Sequence, residues 1–109
     1  MVSQIQIKSN SLQRLLKDKR LYKEELKEHE STIETFQEKL RLDESNEELQ
    51  YSLKNAIRIK EETERLIPNV SSKIREVLTD LKDYLSSHSN ETSDTIKKLI
   101  LEADKESKT

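Results

Sequence analysis

Cysteine and glycine are both absent from this chain of 109 residues, proline occurs once, at Pro68, and aromatic residues make up only 4%. Lack of cysteine removes disulfides, thiolate metal sites and cysteine nucleophiles together. Lack of glycine removes the residue that tight β-turns, phosphate-cradling loops and nucleophile elbows depend on, because those turns need backbone angles that other residues reach only at a cost. Apolar residues amount to 31%, too few for a broad globular core, although narrow apolar stripes on long helices remain within reach. What is abundant is charge, at 39%, with Glu, Lys, Leu and Arg dominating. That is the composition of coiled coils and helix bundles. A chain of this length holds one domain at most, here residues 1–109 as a single helical domain.

The formal net charge is −2 and no long block of one sign occurs. Nucleic-acid binding by phosphate neutralisation needs a basic surplus that the whole chain lacks. One local asymmetry stands out. Lys8, Arg14, Lys17, Lys19, Arg20, Lys23 and Lys27 face only Asp18, Glu24 and Glu25 in the same stretch. Such a strip is either a solvated helix face or a surface that meets an acidic partner. The N-terminus has no charged segment followed by an apolar one, and no run approaches the ~18 apolar residues of a membrane span. A cytoplasmic protein is the expectation.

The pattern predicts three helices. Ser3 followed by Gln6 has the form of a capping box opening the first. From there Ile5, Leu12, Leu15, Tyr22, Leu26, Ile33, Phe36 and Leu40 share an alternating three-four register that also takes in Lys8, Lys19 and His29. This helix is expected over about residues 4–41. Asp43-Glu44-Ser45-Asn46 interrupts the pattern, and Ser45 with Glu48 reads as a second capping box, so the next helix should fold back antiparallel. Its seam runs from Leu49 through Leu53, Ala56, Lys60, Thr63, Ile67, Val70, Ile74, Val77 and Leu81 to Tyr84. The register passes through Pro68 unbroken, which predicts a kink within one helix over about 46–86 rather than an end. After the polar loop Ser86–Asn90, Thr92 or Ser93 caps a shorter helix over about 93–106, with Ile96, Leu99, Ile100 and Ala103 on its apolar side. The fold class is therefore all-α, an elongated three-helix bundle whose long helices reach about 57 Å at 1.5 Å per residue. Leu26, Ile33, Ile67 and Ile74 are expected to be largely buried. Lys8, Lys19 and Lys60 are expected to lay their stems along the seams and keep their ammonium groups in water.

Nothing in this pattern forms a reaction centre. His29 and His88 are the only imidazoles, no HExxH pattern occurs, and EF-hand spacing is missing along with its glycine. The carboxylates alternate with bases at helical spacing: Glu61 with Arg65, Arg58 with Glu62 and Lys60 with Glu64 are i,i+4 neighbours, worth a few tenths of a kcal/mol each. The expectation is a protein that is not an enzyme and carries no cofactor and no metal.

Gln4-Ile5-Gln6-Ile7-Lys8, Leu12-Gln13-Arg14-Leu15, Lys17-Asp18-Lys19 and Tyr22-Lys23-Glu24-Glu25 are similar to the opening helix of the tubulin-binding cofactor A family. Glu64-Arg65-Leu66-Ile67-Pro68, Lys73-Ile74-Arg75 and Leu78-Thr79-Asp80-Leu81 resemble its middle helix, which an Ile-Pro step likewise interrupts. The chain departs from the family between the first two helices, reading Leu42-Asp43-Glu44-Ser45-Asn46-Glu47 where an acidic-Pro-Tyr-Asp turn is common. The resemblance implies a cofactor that binds β-tubulin stoichiometrically during assembly of the tubulin heterodimer, in the cytoplasm and in association with the cytoskeleton.

Under that reading the partner-binding residues are Lys8, Arg14, Lys17, Tyr22 and Lys23 of the first helix with Glu61, Glu64, Arg65 and Arg75 of the second. A basic strip suits tubulin, which is an acidic protein family. The alternative is a structural helical-bundle or coiled-coil module that self-associates or scaffolds other proteins. Spare seam residues at the helix ends permit a homodimer as well as a monomer.

Overall fold

The computed structural model describes residues 3–108 and consists, among those residues, of helices and their connections without a strand. Helix α1 spans Gln4–Leu42, α2 spans Glu47–Ser87 and α3 spans Asp94–Glu106, with a single 3-10 turn at Ser89–Glu91 before α3. The all-α, three-helix expectation holds, with boundaries shifted by one residue at most.

Side-chain caps set these boundaries. Ser3 Oγ accepts from the Gln6 amide at 3.2 Å, opening α1 where the sequence places it. The cap of α2 differs from expectation: Asn46, not Ser45, provides it, its Oδ1 accepting from the Leu49 amide at 3.0 Å. Asn46 is preferred because it is fixed on the other side as well. Its Nδ2 donates to Asp43 Oδ2 at 3.0 Å, and its own amide donates to the Asp43 carbonyl at 3.1 Å. At α3, Ser93 Oγ accepts from the Ile96 amide at 3.3 Å. Pro68 lies inside α2, which continues through it, so the persistence of the register was the correct guide to helix continuity.

The chain divides into two compact units, and the division in α2 falls at Pro68. One unit joins Met1–Arg20 to Pro68–Thr109 and so contains the start of α1, the second half of α2 and all of α3. Its core is made by Leu12 and Leu16 of α1, Ile74, Leu78, Leu81 and Leu85 of α2, and Leu99 and Ala103 of α3. Leu12, Ile74 and Leu81 are wholly shielded from solvent, each contributing about 1.5–3 kcal/mol by its burial. Ion pairs fasten α3 at its edges: Arg20 to Glu102 at 3.6 Å and Lys82 to Asp104 at 3.0 Å.

The other unit, Leu21–Ile67, is a hairpin of the remaining halves of α1 and α2. Among its described residues only Ala56 and Thr63 are buried. Leu26, Ile33 and Ile67 are only half-buried, whereas Ile74 of the three-helix unit has no exposed surface. Three of the four expected core positions are thus corrected. Their register is right, but two helices cover only part of a side chain that three helices enclose.

Lysines in the seams behave in three ways. Lys60 pairs with Glu64 at 3.6 Å and keeps part of its surface in water, as expected. Lys8 is largely covered and forms an ion pair with Asp80 of α2. Lys19 does not snorkel at all. It is completely buried, and its Nζ donates to the carbonyl of Glu106 and lies 3.7 Å from the Glu106 carboxylate. The end of α3 lies over the position where water was expected.

Candidate functional site

The nine residues singled out from the sequence fall on both units. Lys8, Arg14, Lys17 and Arg75 belong to the three-helix unit; Tyr22, Lys23, Glu61, Glu64 and Arg65 belong to the hairpin. Arg14 and Lys17 are exposed on α1, and Tyr22 and Lys23 are half-buried. Glu61, Glu64 and Arg65 are exposed on α2. Arg75, also exposed, donates from Nη1 to the Ser107 carbonyl at 2.7 Å, just past the end of α3. A cation at that end suits the partial negative charge of the helix C-terminus.

The basic strip of α1 is therefore smaller than the sequence suggests. Lys8, Lys19 and Arg20 are engaged by Asp80, Glu106 and Glu102 within the three-helix unit. Arg14 and Lys17 keep exposed cationic side chains. Of the charge ladder expected along α2, Lys60 and Glu64 pair, while Arg58 Nη2 donates to Asn55 Oδ1 at 2.9 Å.

Concave surface is found in the hairpin. A groove of about 250 Å³ opens between its two arms, lined by His29 and Phe36 of α1 and by Tyr51, Asn55, Ala56 and Ile59 of α2. A second depression, of about 540 Å³, follows α2 from Tyr51 to Glu61. Tyr51 is 68% exposed and Ile59 is 40% exposed. Neither belongs to the seam, so seam reasoning passed over both. The signal was present all the same: Tyr51, Ile59 and Leu66 are apolar residues at helical spacing on a second face of α2, all exposed. An apolar groove walled by a tyrosine and a histidine offers contact area and hydrogen bonding to a protein segment.

Beside the three-helix core, the rings of Tyr84 and His88 stack with centroids 4.1 Å apart, and His88 Nδ1 lies 2.9 Å from the Tyr84 carbonyl. The Tyr84 phenol is held above its ordinary pKa, chiefly by its polar interaction with the Glu91 carboxylate, with burial and the charge of Glu91 adding to it. Among the described residues no group of three or more His, Cys, Asp or Glu side chains is arranged to hold a metal ion. No helix among them is long and apolar enough to cross a membrane.

The family model described as tubulin binding cofactor A matches residues 1–105. The tubulin-specific chaperone A of Saccharomyces cerevisiae is 33% identical over 86 residues, covering 79% of this chain and 76% of the yeast protein. The Oryctolagus cuniculus protein of the same name is 33% identical over 86 residues, with 79% and 73% covered. No solved structure matches this chain significantly. By a match that runs nearly from end to end, the chain belongs to the tubulin binding cofactor A family.

Proposed function

We propose that this protein is a tubulin-folding cofactor that binds β-tubulin stoichiometrically during assembly of the tubulin heterodimer. The observation that carries the reading is the family match over residues 1–105, joined by relatives that bear the name tubulin-specific chaperone A. The protein acts by binding and performs no enzymatic step. Its site of action is the cytoplasm, in association with cytoskeletal subunits.

The binding surface under this proposal comprises helix faces: Lys8, Arg14, Lys17, Tyr22 and Lys23 of α1 with Glu61, Glu64, Arg65 and Arg75 of α2. Exposure of Arg14 and Lys17 supports the α1 part. Charged residues at the edge of an interface steer encounter more than they hold the complex together. The test is sedimentation of the purified protein with and without tubulin at micromolar concentration. Co-sedimentation with β-tubulin supports the proposal; a protein that sediments alone in both runs overturns it. The run without tubulin also separates monomer from homodimer, and either state is compatible with the proposed role.

A further inference from the structure

The hairpin unit is unfinished in a way that the three-helix unit is not. In the three-helix unit α3 closes the pair formed by α1 and α2, setting Ile96, Leu99, Ile100 and Ala103 against the core. Its carboxylates meet bases of the long helices: Glu102 meets Arg20, Asp104 meets Lys82 and Glu106 meets Lys19. No residue of α3 belongs to the hairpin unit. There the groove residues Tyr51 and Ile59 remain exposed, and Phe36 stays only half-buried.

Charge indicates what would complete it. The three-helix unit has twelve Lys and Arg against nine Asp and Glu, whereas the hairpin unit has eight against thirteen. Glu25, Glu28, Glu48 and Glu62 lie one helical turn from the groove residues His29, Thr32, Tyr51 and Ile59, and all four are exposed. Of the bases one helical turn from groove residues or beside them, Arg58 and Lys60 are engaged inside the hairpin by Asn55 and Glu64, while Lys39 and Lys54 are exposed, so the acidic sense rests on the balance of the whole unit. In the three-helix unit the added helix brings acids to bases; in the hairpin the sense is reversed.

We infer that the groove between the arms of the hairpin, with Phe36 and Ile59 as its apolar lining and Tyr51 at its wall, receives an amphipathic helix of a partner protein whose flanks are basic. The partner's apolar residues, spaced i, i+3, i+4 and i+7, fill the groove as those of α3 fill the three-helix core. Its Lys or Arg flanks meet the Glu residues of the rim. The inference deepens the protein-binding reading but does not depend on tubulin as the partner.

The probe is a synthetic helical peptide of about 18 residues, about 27 Å long, with leucines at that spacing and lysine flanks, titrated into the full-length isotope-labelled protein. Amide shifts confined to residues 21–67, with saturation, are the expected result. A peptide with the same leucines and glutamate flanks should bind about tenfold more weakly or worse. Tyr51→Ser with Ile59→Ser should weaken the lysine-flanked peptide by about tenfold, because central aromatic and aliphatic contacts dominate such interfaces. Glu25→Lys, Glu28→Lys, Glu48→Lys and Glu62→Lys together should reverse the preference in favour of the glutamate-flanked peptide, a gain of binding that misfolding cannot mimic.

Shifts centred on the three-helix unit, equal binding of both peptides, or no shift at millimolar peptide overturns the inference. So does a wild-type dimer that Tyr51→Ser and Ile59→Ser dissolve, since the occupant is then a second copy of the chain. Tubulin capture is scored separately, so failure of the wild-type protein to capture tubulin refutes the tubulin reading while the peptide result still decides the groove.

Discussion

The ammonium group of Lys19, in the seam of α1, donates to the main-chain carbonyl of Glu106 in the last turn of α3 and is entirely shielded from water. The same Nζ lies 3.7 Å from the Glu106 carboxylate, whose side chain retains 28% of its exposure. One lysine thus meets both the negative end of a helix and a carboxylate, the arrangement in which a buried cation is tolerated. Arg75 adds a second donor at that end through Ser107.

Lys19→Met and Lys19→Ala should therefore differ. Methionine keeps most of the buried stem volume while Glu106 remains hydrated, so its loss of stability should stay within about 1 kcal/mol. Alanine empties the site and should cost roughly 2–4 kcal/mol. Denaturant midpoints measure both changes. Hydrogen exchange in the alanine variant should rise first in α3, since that helix loses its fastening.

Core substitutions should separate the two units. Ile74→Ala, at a position with no exposed surface, should cost roughly 2–5 kcal/mol. Leu26→Ala, Ile33→Ala and Ile67→Ala, at half-buried positions, should each cost about half as much, in proportion to the area they hide. Equal losses at Ile33 and Ile74 in urea titrations would show that the hairpin seam is better covered than its exposure indicates.

This contrast marks what the sequence made legible. The three-four register identified one inward stripe of α1 and α2, because helical periodicity depends only on local geometry, but Leu16, Ser71, Leu78 and Leu85, which are buried in the three-helix unit, lie beside that stripe. It could not say how many helices meet at each level, so Leu26 and Ile33 looked the same as Ile74. Lys19 was misjudged for a related reason: its covering comes from Glu106, 87 residues away in the chain. The Ser3 and Ser93 caps were readable because a cap is local, whereas the choice of Asn46 over Ser45 depended on the turn contact with Asp43. Of the candidate surface, the charges were visible and their internal engagements were not.

Pro68 sits inside a continuous α2 and lacks the amide that would donate to the preceding turn. Pro68→Ala should restore that hydrogen bond, preserve or increase helicity by circular dichroism, and raise stability by about 1–2 kcal/mol after allowing for the extra freedom alanine gives the unfolded chain. A fall in the thermal midpoint would show that α2 requires the proline at the division between the two units.

Tyr84 predicts an alkaline limit. Its phenol, facing Glu91, stacked on His88 and with Lys8 Nζ 6.0 Å from the ring centroid, has a folded pKa above the ordinary value. The folded state thus favours the protonated phenol. That contribution is fully present below the unfolded pKa of about 10 and is lost as pH rises through the higher folded value. Tyr84→Phe should remove this part of the alkaline loss and delete one late step from the ultraviolet tyrosine titration. An unchanged alkaline limb in the phenylalanine variant would assign the loss to other groups.

The functional proposal makes its sharpest prediction at the charges of α1. Arg14 and Lys17 are exposed and Lys23 is half-buried, so Arg14→Glu, Lys17→Glu and Lys23→Glu combined should leave the helical content intact while weakening capture of β-tubulin. Charges at an interface rim act mainly on encounter, over a Debye length of about 8 Å at physiological ionic strength. Wild-type association should accordingly slow as salt rises from about 50 mM, within the range where screening of charged surfaces is strong, and the triple variant should lose most of that salt dependence. Circular dichroism of the variant controls for folding. Lys8 and Lys19 are unsuitable for the same experiment, because their charges are engaged by Asp80 and Glu106 and their removal would perturb the three-helix unit itself. A folded triple variant that captures tubulin as rapidly as the wild type, with the same response to salt, would move the binding surface away from this side of α1 while leaving tubulin as the partner.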